Sequence, residues 1–149
     1  MRAVVTVAVL ALCIAPAANA KFKVGLFLSN DEPTVRELLR ATIHADVRAR
    51  EDCRMRLLAV APGADKSKAL AAFINGGISI IGPSGPTFRR IRPTPRLGFL
   101  VPLARTGPKM WRATIHFPRV GRWRLVVPNW CAPGYASPLP VERAVTVVE

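Results

Sequence analysis

Beyond residue 20, the side chains with the most versatile chemistry are His44, His116, Met55, Met110, Cys53 and Cys131, and their spacing limits what they can do. A copper site would draw on histidine and methionine donors. No His-x-x-x-His, Cys-x-x-Cys or methionine-rich run brings such donors together in sequence. An extracytoplasmic, copper-type metal-binding protein using His44 and His116 is therefore the alternative, behind a reading with no metal or other cofactor. Cys53 and Cys131 form, in an oxidising compartment, a disulfide; closing so long a loop is worth about 4 kcal/mol in the chain-entropy account.

Hydrolytic chemistry has less support. There is no G-x-S-x-G elbow around Ser29, Ser67, Ser79, Ser84 or Ser137. The acidic pairs Asp31-Glu32 and Glu51-Asp52 sit in turn-like stretches, where carboxylates commonly serve solubility. Asn75-Gly76-Gly77 reads as a helix stop and not as a phosphate cradle. The expectation is a protein that is not an enzyme.

Charge is the stronger signal. The chain carries a formal net charge of +13, mostly as arginine spread along its length. Such a balance predicts attraction to anionic polymers or lipid headgroups outside the cell. The densest stretch is FRRIRPTPR, with Arg89, Arg90, Arg92 and Arg96 as candidate anion-binding residues. Its prolines exclude a central strand, so it belongs on an edge or loop, where charge also guards against edge-to-edge pairing; that protective role is the preferred reading. Trp130 and Tyr135, in a Pro/Gly-rich stretch beside Cys131, form a candidate recognition loop, with packing over the disulfide as the preferred reading.

The compartment follows from the first twenty residues. Arg2 gives a positive start, Ala3 to Ile14 an apolar core and Ala18-Asn19-Ala20 a cleavage site, the pattern of a secretory signal peptide over residues 1–20. The mature chain then begins at Lys21, residues 21–149 have the size of one domain, and the protein is secreted or held in the cell envelope. No later run of eighteen apolar residues exists, so no integral membrane segment follows cleavage. Export and the absence of a recognition motif argue against nucleic acid. The expected partner is an anionic cell-envelope polymer or a protein.

The elements that must carry these residues are strands. From Lys21 to Ser29, Phe22, Val24, Leu26 and Leu28 alternate with Lys23, Gly25 and Phe27; Leu39, Ala41, Ile43, Ala45 and Val47 alternate with Arg40, Thr42, His44, Asp46 and Arg48. Cys53, Met55, Leu57 and Ala59 alternate with Arg54, Arg56, Leu58 and Val60, predicting a hairpin with the preceding run, in which Asp46 faces Arg54. Asp65 introduces one short helix over Lys66 to Ile74. Brief strands follow at Ile78 to Ile81 and Leu97 to Leu103. Trp111, Ala113, Ile115 and Phe117 then lead through Pro118-Arg119-Val120-Gly121 to Trp123, Leu125 and Val127, predicting a second hairpin that leaves Arg112, Arg122 and Arg124 outward. Glu142 to Val148 closes the chain.

About eight short strands with turn signals between them give an all-β antiparallel sandwich with one short inserted helix. The paired cysteines and core tryptophan make the chain resemble immunoglobulin-like β-sandwich domains of secreted bacterial proteins. In that resemblance Cys53 and Cys131 stand for the inter-sheet disulfide and Trp111 or Trp123 for the core tryptophan. The family's tryptophan follows the first cysteine closely, and here none does, so the resemblance implies architecture and brings no functional residues.

Overall fold

Alternating apolar residues become alternately buried strands over Leu39–Ala45 and Met110–Ile115. The computed structural model describes residues 24–46, 48–52, 54–128 and 141–149. Cys53, Cys131, Trp130 and Tyr135, and with them the expected disulfide and recognition loop, lie outside the described residues, as does the segment read as a signal peptide.

Among the described residues ten strands are formed, in chain order: β1 (Val24–Leu28), β2 (Leu39–Ala45), β3 (Leu57–Val60), β4 (Gly77–Gly82), β5 (Gly85–Arg90), β6 (Gly98–Val101), β7 (Ala104–Gly107), β8 (Met110–Ile115), β9 (Gly121–Val127) and β10 (Val141–Val147). Between β3 and β4 lies helix α1 (Lys66–Leu70), continued by a π-helical turn over Ala71–Asn75. The strands form one four-stranded sheet ordered β1-β2-β8-β7, a second ordered β10-β9-β3-β6, and a two-stranded ribbon β4-β5; every ladder is antiparallel. The protein is thus all-β and antiparallel, with ten strands in three sheets where about eight were expected. One reason is that the single strand expected over Leu97 to Leu103 divides around Pro102 into β6 of the second sheet and β7 of the first. A proline cannot continue a ladder as donor.

Both four-stranded sheets bury their inner faces in one core. Leu39, Ile43, Trp111 and Ile115 enter it from the first sheet, and Leu57, Trp123, Leu125 and Val145 from the second. Phe117 and Trp123 lie 5.2 Å apart between ring centres, and Phe99 packs edge-on to Trp123 at 5.5 Å. The buried indole is satisfied, since Trp123 Nε1 donates to Arg119 O at 3.0 Å.

Among the described residues neither expected hairpin is formed. β2 pairs with β1 and β8, while β3 pairs with β6 and β9, so the two runs lie in different sheets and the register setting Asp46 opposite Arg54 is not formed. In the same way β8 belongs to the first sheet and β9 to the second. The inward facing expected of the two tryptophan-bearing rows is nonetheless found: Trp111, Ala113, Ile115, Phe117, Trp123, Leu125 and Val127 are all buried. Their apolar sides meet face to face across the core instead of side by side within one sheet.

Leu58 and Val60, expected to point outward, are buried as well. They form a second small core with Val126 and Ala69, because α1 covers this outer face of the second sheet. Asp65 caps the helix by accepting from Lys68 N at 2.7 Å, and Gly76 ends it in the left-handed conformation at φ 73°. Another tight position is Gly98, with φ 141° and its Cα against the Ala59 carbonyl of β3, where a Cβ would collide.

Candidate anion-binding site

The outer face of the first sheet is built from the even-numbered partners of the buried rows. Alternation in β2 sends Arg40, Thr42 and His44 outward, and in β8 Arg112 and Thr114. The β2–β8 register sets Arg40 opposite Thr114 and Thr42 opposite Arg112, while Phe27 on β1 faces Thr42 and Ala104 on β7 faces Arg112. Arg40 and Arg112 are therefore diagonal neighbours on adjacent strands, roughly 7–8 Å apart at their backbones.

Of these, Phe27, Arg40, Thr42, Ala104, Arg112 and Thr114 line an open hollow of about 870 Å³, with Leu103, on the crossing from β6 to β7, as part of its wall. Among the described residues neither guanidinium meets a carboxylate. Arg112 lies in an acid-free stretch, since the sequence from Lys66 to Val141 contains no aspartate or glutamate. Two planar guanidinium forks flanked by threonine hydroxyls can bind sulfate, phosphate or carboxylate groups in bidentate fashion. The exposed Phe27 ring at the same hollow adds an apolar surface for the backbone of such a ligand.

Arginines elsewhere have other tasks. Arg105 is a clasp: its guanidinium donates to the backbone oxygens of Ala49 and Arg50 at 3.2 and 3.1 Å, and lies 5.5 Å from the Trp111 ring. Arg124, expected among the outward recognition groups, is half-buried and donates to Ala64 O at 2.7 Å. Arg122 and Arg112 are exposed as expected.

The basic stretch is divided by the structure. Arg89 and Arg90 lie on β5, which pairs only with β4 among the described strands, and Arg92 and Arg96 lie in the following loop; all four are exposed. Successive strand residues point to opposite faces, so Arg89 and Arg90 do not converge on one ligand. The two histidines also remain apart. His44 faces Met110 at one end of β8, whereas His116 lies six residues further along, about 20 Å away at strand rise. Among the described residues no group of three or more histidines, cysteines and carboxylates is placed to hold a metal, and no helix is long and apolar enough to cross a membrane.

The hollow itself was missed from sequence. Its signal lies in the outward Arg and Thr of two strictly alternating runs, which become neighbours only through the β2–β8 ladder and not through the hairpins the sequence suggests. Compared with family models, with curated proteins and with solved structures, the chain matches none.

Proposed function

We propose that this protein is an exported, non-catalytic binding module of immunoglobulin-like architecture that engages an anionic cell-envelope polymer through its basic surface. The observation that carries the reading is the pair Arg40 and Arg112, unmatched by carboxylate among the described residues, over one hollow. Architecture is supported by strand order. With the β4-β5 ribbon set aside, the first sheet follows the order A-B-E-D and the second G-F-C-C′ of immunoglobulin domains. The core tryptophans depart from that pattern, standing on β8 and β9 and not on β3.

The disulfide belongs to the same reading. Leu58 and Val126 face each other across the β3–β9 ladder, and Cys53 lies as far before Leu58 as Cys131 lies beyond Val126. A bond between them would join the segments before β3 and after β9, two strands of the same sheet, and so departs from the inter-sheet link of immunoglobulin domains; peptide mapping of non-reduced exported protein should recover the two cysteines linked. Two free thiols would refute it.

The binding test is retention on immobilised dextran sulfate across a salt gradient. Wild-type protein should elute late, and Arg40→Gln/Arg112→Gln should elute earlier than Arg119→Gln/Arg122→Gln, which removes the same charge elsewhere on the surface. Equal elution of the two double variants would reduce the interaction to net charge and remove the hollow as a site.

A further inference from the structure

The β4-β5 ribbon joins two chemistries that the rest of the surface keeps apart. It springs from the end of the helix that covers the second sheet, with Gly77 at its base opposite Arg90 and a tight turn between Gly82 and Gly85 at its tip. Its register sets Ile78 beside Arg89 and Ile80 beside Thr87 on one face, and Ser79 beside Phe88 and Ile81 beside Pro86 on the other. Ile78, Ile80, Ile81 and Phe88 are all exposed, Ile81 at 87% and Phe88 at 62%. Apolar side chains thus occupy both faces toward the tip, and arginines collect at the base, with Arg92 in the loop just beyond.

An isolated two-stranded ribbon gains little stability in water, and exposed isoleucines on it add a liability for self-association. A protein partner would cover one face or one edge. A lipid interface would wet both faces of the tip at once, while arginines set back toward the base reach anionic headgroups along their apolar stems. The charge arrangement favours the same occupant, because no carboxylate occurs between Lys66 and Val141 to repel an anionic bilayer or to neutralise Arg89, Arg90 and Arg92.

We infer that the β4-β5 ribbon is a peripheral membrane-docking element that inserts Ile80, Ile81 and Phe88 into the interface of an anionic phospholipid bilayer, with Arg89, Arg90 and Arg92 on its headgroups. This surface is independent of the hollow on the first sheet, since the ribbon arises from the helix on the outer side of the second.

The test is co-sedimentation of purified protein with vesicles of phosphatidylcholine containing phosphatidylglycerol, compared with phosphatidylcholine alone. Wild-type protein should bind the anionic vesicles preferentially. Ile81→Ser/Phe88→Ser should weaken that binding by about tenfold or more, from the lost apolar insertion. Arg89→Gln and Arg92→Gln should each weaken it by about fivefold. All these positions are exposed, so the melting temperature reports intact folding in every variant. Wild-type binding by the Ile81→Ser/Phe88→Ser variant, equal binding to both vesicle types, or binding to dextran sulfate beads without binding to vesicles would each overturn the proposal. The Arg119→Gln/Arg122→Gln variant, which removes two exposed charges outside both the ribbon and the hollow, should bind anionic vesicles as wild type does, so that a loss in the ribbon variants is not one of net charge.

Discussion

The strand β2 and the ribbon β4-β5 use overlapping residue types to opposite ends. β2, LRATIHA, buries every second residue completely, with Leu39 and Ile43 at 0% exposure. β4, GISIIG, holds three isoleucines and leaves all of them open to solvent. The difference is what lies opposite. β2 has a second sheet against its inner face, whereas the ribbon has no sheet packed on either face among the described strands. Burial is set by what an apolar row finds facing it, and the molecule thereby separates the residues that hold it together from those that meet the outside.

The largest effect that sharpens this comparison should come from Trp123→Ala. The ring is 1% exposed and packed between Phe117 and Phe99, so its loss should lower unfolding free energy by about 3–5 kcal/mol, read by chemical denaturation. Gly98→Ala should follow at about 3 kcal/mol, combining a positive φ unsuited to alanine with overlap on the Ala59 carbonyl. If it were neutral, the β3–β6 contact would not be as tight as described. Asp65→Ala should cost about 1 kcal/mol by removing the cap on α1, and Asp65→Asn should recover most of it. At the small end, Ile81→Ser should change stability by less than about 0.5 kcal/mol despite removing a large apolar side chain. A loss like that of a core residue would place the ribbon in the folding core and break the comparison.

The facing of the strands was legible in the sequence because alternation has a period of two, and it names the apolar side without knowing the neighbour. Partners were not legible for the same reason. A hairpin and a crossing between sheets both bring the odd-numbered row of Trp111 to Phe117 against that of Trp123 to Val127, and the loop at Pro118 to Val120 serves either. Burial of Leu58 and Val60 did have a cue: LLAV is an unbroken apolar run, which suits a strand covered on both faces, and the capped helix from Asp65 was already in view to cover it. The hollow was hidden because Arg40 and Arg112 are far apart in sequence and become neighbours only through the β2–β8 ladder. The exposed ribbon was half legible, since prolines and arginines marked its second strand as an edge.

Native-state hydrogen exchange tests the separation of holding and contacting regions most directly. The amides of Leu125 and Val126, in the ladders that join β9 to β10 and β3, should exchange only through global unfolding, while those of Ile78 and Ile80 in the ribbon should exchange through a much smaller local opening. Ribbon amides protected as strongly as those of β9 would show that the ribbon unfolds only with the sheets, and would contradict the account.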